Sequence, residues 1–226
     1  MLRLSSLSFL SGLIVVAVMM SSPGPVDDSL VEEIAPVVDE CSYVEDLAPV
    51  EDFMSLVSIS DPYLGNLDAD VTVLEFFDPN CRHCATFHPV MKQVIEDSGQ
   101  HARFYMIPFP LWRFSLVQTE ALYVAAQEGK FFEMLDAQYI NQKQGGMSMD
   151  EVTVLATDIG LDADLFRERL ERGLNQQMII ERRAQIAETG IGGTPAVMIN
   201  GRIVANDSKS RICLNQLIAE AVTGDS

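Results

Sequence analysis

The apolar run Val71–Phe77 is rich in β-branched and aromatic side chains, and Glu75 is its only charged residue. Such a run predicts a buried strand. Residues 78–80, Asp-Pro-Asn, predict a turn in which Asn80 is suited to cap a helix. Ahead of the strand, residues 49–59 have helical spacing and are expected to pack on the sheet edge, and residues 61–66 form a turn-rich lead-in. After the turn, apolar residues recur at helical spacing at Phe87, Val90, Met91 and Val94. A helix is therefore predicted directly after a central strand.

A second apolar run, at residues 102–107, predicts another strand, which Pro108 ends. Because a helix separates the two strands, we expect a parallel βαβ unit. The next stretch carries helical periodicity instead of a strand pattern. Asp162 is suited to be the N-cap of one of its helices. The pattern predicts five helices there, at residues 114–127, 131–141, 148–159, 162–169 and 175–189.

Strand patterns return at Ala196–Ile199 and at residues 202–205. Between them stands Asn-Gly at residues 200–201, the strongest hairpin signal in the chain. A last helix is predicted over residues 209–221. The predicted order is therefore β, α, β, a long helical block, β, β, α. This order indicates an α/β core interrupted by a helical insertion at about residues 113–189.

The chain has 226 residues, of which 48% are hydrophobic, so it can build one domain with a full core, with or without an insertion. The net charge of −18 argues against binding to nucleic acid or to anionic membrane surfaces. No lysine or arginine occurs between Arg3 and Arg82, while acidic residues recur throughout that interval. A solvated acidic surface that aids solubility is the favoured interpretation.

Residues 1–22 have the pattern of an export signal, with Arg3 as the charged start and an apolar stretch over residues 4–20. The cleavage site is poor, so an uncleaved membrane anchor stays open, and a buried core helix is the third interpretation. Residues 23–60 form an acidic extension, and its first part, to residue 46, is expected to be a linker with low order. Export would place the working domain outside the cytoplasm, where disulfides persist.

Cys81 and Cys84 lie where the predicted helix begins after the first strand. A helix N-terminus presents unpaired N–H groups and the positive end of the helix dipole. A Cys81 thiolate would be stabilised there, and Arg82 and His83 add positive charge close by, so we expect a depressed pKa for Cys81. Cys84 would lie one turn further in and be less exposed. It is therefore suited to resolve a mixed disulfide formed at Cys81.

A Cys-x-x-Cys pair also forms half of many zinc sites, which require two further ligands. His83 and His88 could assist, but the other two cysteines, Cys41 and Cys213, are distant in sequence. A strand–turn–helix context is also unusual for zinc. No metal is therefore assigned, and a redox pair is favoured over a metal site and over a purely structural disulfide.

The motifs taken jointly resemble those of a known family. Leu-Glu-Phe-Phe at residues 74–77, followed by Cys-Arg-His-Cys at residues 81–84, is very similar to the active-site segment of the DsbA-like thiol–disulfide oxidoreductases of the thioredoxin superfamily. Pro89 and the Gly-Thr-Pro motif at residues 193–195 match the same family. The resemblance covers a domain placed at residues 61–222, and it implies a thioredoxin fold with an inserted helical domain.

The resemblance also implies roles for individual residues. Pro195 is expected to be cis and to face the cysteines, which would expose the backbone of Thr194 to an extended substrate segment. Glu75 would lie beneath the site and transfer a proton for the buried cysteine. His83 would stabilise the thiolate. Arg82 stands where DsbA-type motifs often carry proline, and Thr194 also occurs in isomerase-type relatives, so both the oxidase and the isomerase interpretations stay open.

The two remaining cysteines would risk mispairing in an oxidising compartment. A structural disulfide between Cys41 and Cys213 is therefore favoured over two separate thiols. It would tie the acidic extension to the last helix. In the chain-entropy model a loop of this length contributes on the order of 4 kcal/mol, less any strain.

These patterns predict an exported thiol–disulfide oxidoreductase, which we expect to act as an oxidase that donates a redox-active Cys81–Cys84 disulfide. The alternatives are a disulfide isomerase or reductase, a copper- or zinc-binding envelope protein, and a surface protein with a vestigial motif. The expected partners are unfolded or reduced exported proteins and a redox partner in the membrane, with no cofactor and no nucleic acid. The expected location is the periplasm or another extracytoplasmic compartment, with residues 4–20 as the anchor if the signal stays uncleaved.

Overall fold

A mixed sheet of five strands lies at the centre of the computed structural model, which describes residues 40–224. The strands are β1 (Tyr63–Gly65), β2 (Val71–Phe77), β3 (Ala102–Pro108), β4 (Ala196–Ile199) and β5 (Arg202–Ile203). Their order across the sheet is β1-β3-β2-β4-β5. β2 and β3 are parallel, and the other neighbouring pairs are antiparallel. The predicted βαβ unit is therefore confirmed.

Seven α-helices and two 3-10 helices belong to the described residues. The α-helices are α1 (Arg82–Ser98), α2 (Ser115–Ala126), α3 (Phe131–Ile140), α4 (Met149–Asp158), α5 (Ala163–Arg172), α6 (Gln176–Glu188) and α7 (Arg211–Thr223). The 3-10 helices are Phe53–Leu56 and Asn206–Ser208. The five helices predicted between β3 and β4 are confirmed as α2 to α6. Asp162 caps α5 as predicted, since its side chain accepts a hydrogen bond from the Leu165 N–H at 2.8 Å.

Apolar layers cover both faces of the sheet. On one face, α1 and α7 pack against alternate residues of the central strands, such as Val73 and Val197. On the other face, the Phe53–Leu56 turn and the end of α6 pack against Leu74 and Phe76. Every residue of β2 is buried, Glu75 included, as the largely apolar run predicted. The carboxyl end of β2, where α1 begins, is therefore held rigidly from both sides.

The hairpin between β4 and β5 also follows the prediction. Asn200 and Gly201 both have positive φ, at 44° and 85°. Two consecutive residues with positive φ are what a tight two-residue hairpin turn requires, and Asn-Gly adopts them readily. β5 is shorter than predicted, because beyond Ile203 the chain pairs with another segment: Val204 forms an isolated bridge with Tyr43.

That other segment is the described part of the acidic extension, and it differs from the linker with low order that was expected for residues 40–46. The Val44 N–H donates to the Ile203 carbonyl at 2.8 Å, and the Ala205 N–H donates to the Ser42 carbonyl at 3.0 Å. The segment thereby continues the sheet beyond β5. The hydrogen bonds come from the backbone, so the acidic composition gave no sign of them.

The predicted Cys41–Cys213 disulfide is present and joins this segment to α7. Residues 1–39 and 225–226 lie outside the described residues, and with them the predicted export signal, the alternative anchor at residues 4–20 and the start of the linker. Within residues 40–224, no helix has the length and apolarity needed to cross a membrane.

Two segments ahead of β2 differ from the sequence prediction. Residues 49–59 form only the 3-10 turn Phe53–Leu56, and it packs on a face of the sheet, not on its edge. Residues 61–66 contain the edge strand β1 where only a turn was expected. β1 has three residues, too few to show alternation of polar and apolar positions, and its pairing with β3 is non-local.

A buried ion pair fixes the start of β1 to the helical block. The Arg182 guanidinium donates to the two carboxylate oxygens of Asp61 at 2.7 and 2.9 Å. Tyr123 on α2 completes the group, with its hydroxyl oxygen 3.0 Å from the same guanidinium nitrogen. The side chain of Asp61 is 0% exposed and that of Arg182 is 7% exposed. The pair therefore lies in the interior, where each charge depends on the other.

Candidate active site

Cys81 is the N-cap residue of α1, directly after the turn that follows β2. Asp78 organises this turn. Its carbonyl accepts the Cys81 N–H at 2.9 Å, and its carboxylate accepts the N–H groups of Asn80 and Leu111, each at 2.6 Å. The prediction that Asn80 caps the helix is wrong, because its side-chain amide donates to Ser115 on α2 instead. The first cysteine itself thus occupies the helix terminus.

Cys81 and Cys84 are not joined in a disulfide, and their surroundings differ. Cys84 is fully buried, and burial raises its pKa far above the usual value. The pKa of Cys81 falls from about 9 to about 5, chiefly because the Cys84 thiol donates a hydrogen bond to it. The side chain of Thr194 and the backbone N–H groups of Cys84 and His83 lower it further, against the effect of burial. Cys81 is therefore a thiolate at neutral pH, and Cys84 is a thiol.

The residues opposite Cys81 belong to the loop that leads into β4. The Thr194–Pro195 peptide bond is cis, as the resemblance implied. The Cys81 sulfur lies 3.4 Å from the carbonyl oxygen of Thr194. Backbone atoms of this loop therefore face the reactive sulfur, where an extended peptide could pair with them.

Glu75 lies in the middle of β2, on the face that α1 covers, between Val73 and Phe77 in the alternation of the strand. It is 0% exposed, and neither carboxylate oxygen has a hydrogen-bond partner among the described residues. Burial raises its pKa to about 8, and the charge of Lys209 acts in the opposite direction. A carboxyl group that titrates close to neutral pH is suited to accept and return a proton.

Arg82 and His83 are both exposed on the first turn of α1. The backbone N–H of His83 lowers the pKa of Cys81. A contribution from the imidazole or from the Arg82 guanidinium stays a prediction. His88, one turn further on, is buried, and its Nε2 lies 2.6 Å from the carboxylate of Asp136 on α3. This contact links the cysteine helix to the helical block.

Sequence reasoning missed three residues of the site. Gln142, just after α3, donates from its amide nitrogen to the carbonyls of Pro79 at 2.8 Å and Cys81 at 3.1 Å. Tyr139 is buried next to the cysteines, and its hydroxyl lacks a hydrogen-bond partner among the described residues. Lys209 donates to the Pro195 carbonyl at 2.5 Å. Each is a single polar residue distant in sequence, so no local pattern could have identified it.

Trp112 lies between β3 and α2. The indole is 42% exposed and stacks on the equally exposed ring of Phe114, with ring centroids 5.5 Å apart and 7° between the planes. Phe114 lies against Gly146 and close to Asn80, the residue before the first cysteine. The aromatic pair thus belongs to the surface near the site. Within residues 40–224, no three His, Cys, Asp or Glu side chains come together as a metal centre would require.

Comparison with known proteins gives a match over most of the chain. Residues 58–217 match the sequence profile of a family described as Thioredoxin. A protein of Rickettsia typhi named as a protein-disulfide oxidoreductase is 28% identical over 166 residues, which cover 68% of this chain and 59% of that protein. An Na(+)/H(+) antiporter of Salinispora arenicola, NhaA 1, is 29% identical over 145 residues, which cover 63% of this chain. The chain spans only 22% of the length of that antiporter.

Among solved structures, the thiol-disulfide exchange protein alpha-DsbA2 of Wolbachia pipientis superposes with a TM-score of 0.63. The match covers 77% of this chain and 92% of that chain, with 24% sequence identity. This likeness confirms the fold expected from the sequence.

Proposed function

Since this chain belongs to the thioredoxin family over residues 58–217, we propose that it is a thiol–disulfide oxidoreductase that exchanges a Cys81–Cys84 disulfide with the thiols of substrate proteins. One observation carries the proposal: the Cys81 sulfur stands at the N-terminus of α1, with a pKa lowered to about 5, beside a backbone carbonyl 3.4 Å away. Disulfide exchange requires a thiol of low pKa whose sulfur a peptide can reach.

The oxidised pair acts in two exchange steps. A substrate thiolate attacks the Cys81 sulfur, the Cys81–Cys84 bond breaks, and the electron pair passes to Cys84, which takes a proton. Glu75, with a pKa of about 8, holds that proton at neutral pH and can supply it. A second substrate thiolate then attacks the substrate sulfur of the mixed disulfide and expels Cys81. The substrate gains a disulfide, and the enzyme retains two electrons as a dithiol.

The direction of exchange follows from leaving-group chemistry. A thiol of low pKa leaves quickly, and stabilising its thiolate favours the reduced form of the pair. The site of this chain should therefore donate its disulfide, as an oxidase does. Reoxidation then requires a redox partner, which we place in the membrane. The Cys41–Cys213 disulfide supports a working location in an oxidising, extracytoplasmic compartment.

Two variants test the activity. Cys81→Ser should abolish oxidation of a reduced model protein, and Cys84→Ser should accumulate a covalent complex with the substrate through Cys81, because the resolving thiol is missing. Circular dichroism of both variants controls for folding. Unchanged oxidation by folded Cys81→Ser would overturn the proposal. Equilibration with glutathione then separates oxidase from isomerase or reductase: a strongly oxidising potential supports donation, and a reducing potential supports the alternative.

A further inference from the structure

The described part of the acidic extension is fastened to the domain at both of its ends. At one end, Cys41 is joined to α7 by the disulfide. At the other end, the Val50 N–H donates to the Gly201 carbonyl at 2.9 Å, and a Cβ atom at Gly201 would stand only 2.4 Å from the Val50 carbonyl oxygen. Between these ends, the Arg202 guanidinium lies 3.8 Å from the ring centre of Tyr43. The residues in between are therefore held in a defined place.

Leu47, in this held part, contacts the loop that leads to the active site. Its two terminal methyl groups lie against Gly190, since a Cβ atom at Gly190 would be 3.1 Å from each of them. The side chain of Leu47 is nevertheless 37% exposed. Gly190 follows α6 and belongs to the loop that continues to Thr194 and Pro195. The extension thus packs on the same loop that faces the reactive sulfur.

A cavity of about 370 Å³ lies between Leu47 and this loop. Its volume is within the range of about 300–1,000 Å³ that is usual for small-ligand pockets. Thr194 also lines it, and the carbonyl oxygen of Thr194 is 3.4 Å from the Cys81 sulfur. A Cβ atom at Gly192 or Gly193 would meet no atom within 4 Å, so the loop is open to an approaching chain. The apolar side chains of the lining are those of Val44, Leu47, Ile191, Ile203 and Val204.

A substrate bound to Cys81 can reach this cavity from the active site. A peptide that pairs with the backbone at Thr194 is extended, and pockets for its side chains then give specificity. Successive side chains of an extended chain point to opposite sides, so the residue next to the substrate cysteine points away from Cys81. Within residues 40–224, α1 contributes no residue to the lining. The cavity is therefore placed to receive a side chain that points away from the cysteine helix.

We propose that this cavity is a subsite for a large apolar side chain next to the substrate cysteine, and that Leu47 of the extension determines which side chain it accepts. The inference rests on the proposed function and gives it a substrate class. In the step concerned, the peptide thiolate bonds to the Cys81 sulfur, the Cys81–Cys84 bond breaks, and Cys84 takes the electron pair and a proton. The cavity contributes to binding of the peptide and takes no part in the bond exchange.

The test uses the oxidised full chain and peptides with one cysteine, flanked on both sides by leucine or by alanine. Samples are quenched with acid, and the mixed disulfide is measured by mass spectrometry. Each rate is divided by the rate with mercaptoethanol, which has no side chain to place in the cavity. We expect the unchanged chain to react about tenfold faster with the leucine peptide than with the alanine peptide, because the open cavity buries part of the leucine side chain.

Two substitutions at Leu47 change the cavity in opposite directions. Leu47→Trp fills it, so the leucine and alanine peptides should react at about equal rates. Leu47→Ala widens it and should favour a tryptophan-flanked peptide over the leucine peptide. Leu67→Trp is the matched control, because Leu67 is similarly exposed, at 43%, and precedes β2, whereas Cys81 follows the other end of that strand. It should keep the tenfold ratio. A tenfold ratio in folded Leu47→Trp would overturn the proposal.

A second measurement leaves Leu47 in place and does not depend on rates. Cys84→Ser is converted to the stable mixed disulfide with either peptide, and its methyl groups are observed by nuclear magnetic resonance. The methyl signals of Leu47 and Ile191 should differ between the two complexes, and those of Leu67 should coincide. Coinciding signals at Leu47 and Ile191 would overturn the subsite.

The reaction with mercaptoethanol separates the subsite from the proposed function. If the unchanged chain reacts with mercaptoethanol but does not distinguish the two peptides, the subsite is overturned and the proposed function stands. If the oxidised chain reacts with neither mercaptoethanol nor the peptides, the proposed function itself is overturned.

Discussion

The hydrogen bond from Cys84 to Cys81 is the largest cause of the low Cys81 pKa, so replacing Cys84 should change the reactivity of a residue that is itself untouched. Cys84→Ala removes the donor, whereas Cys84→Ser replaces it with a hydroxyl donor of similar position. The backbone N–H groups at the start of α1 remain in both variants. The two substitutions therefore isolate one hydrogen bond from the effect of the helix terminus.

The expected change in the Cys81 pKa follows from the values found at the site. With a pKa of about 5, about 99% of Cys81 is thiolate at pH 7, whereas the usual value near 9 would leave about 1%. A hydrogen bond to a charged group contributes about 1.5–3 kcal/mol, which corresponds to about 1–2 pH units. The Cys81 midpoint should therefore rise by about 1–2 units in Cys84→Ala and stay near 5 in Cys84→Ser.

Thiolate absorbance in the ultraviolet, followed against pH, measures this midpoint directly. In both variants Cys81 is the cysteine that titrates, because Cys41 and Cys213 are joined in a disulfide. The rate of reaction with iodoacetamide gives an independent value. Arg82→Ala, at an exposed neighbouring position, is the control for loss of nearby charge. If Cys84→Ala keeps a midpoint near 5, the helix terminus alone is sufficient and the assignment to Cys84 is refuted.

Two further substitutions test the interior. Because burial raises the pKa of Glu75 from 4.5 to about 8, folding stability should decrease as the pH rises through this interval. Glu75→Gln should flatten that dependence. In denaturant unfolding, its advantage in unfolding free energy over the unchanged chain should grow by on the order of 3 kcal/mol between pH 4 and pH 7. An unchanged slope of stability against pH would contradict the role of Glu75. Arg182→Met leaves the Asp61 carboxylate buried without its cation and should cost about 3–5 kcal/mol, part of which Asp61→Asn in the same chain should restore. A loss below about 1 kcal/mol would show that water reaches Asp61.

The parts of the fold that the sequence predicted are those with local causes. The run Val71–Phe77 is apolar except at Thr72 and Glu75 because both faces of β2 are covered, and the Asn200-Gly201 turn has the two positive φ angles that this dipeptide favours. β1 was missed because three residues carry no periodicity, and its existence depends on β3, formed much later in the chain. The segment at residues 40–46 was missed for the same reason.

At the site, the sequence predicted the residues that belong to a recognisable motif. Cys81 and Cys84 stand in a pattern whose spacing constrains their geometry, whereas the position of Pro195 was implied by the family resemblance. The choice between Asp78 and Asn80 as the organiser of the turn was not decidable, since both residue types accept backbone N–H groups, and the deciding contact is with Leu111, 33 positions away. Lys209 and Gln142 act through side chains that reach the site only after the whole core is assembled.

The distance along the chain between the two sides of the site has a consequence for synthesis. Cys81 and Thr194 are 113 positions apart, and Cys41 and Cys213 are 172 positions apart. Because synthesis starts at the N-terminus, Cys41, Cys81 and Cys84 exist before Cys213 is made. Every disulfide that Cys41 could form within the chain during that interval is non-native. The disulfide that joins the extension to α7 can therefore form only after α7 has been made, and any earlier bond to the redox pair must be broken first.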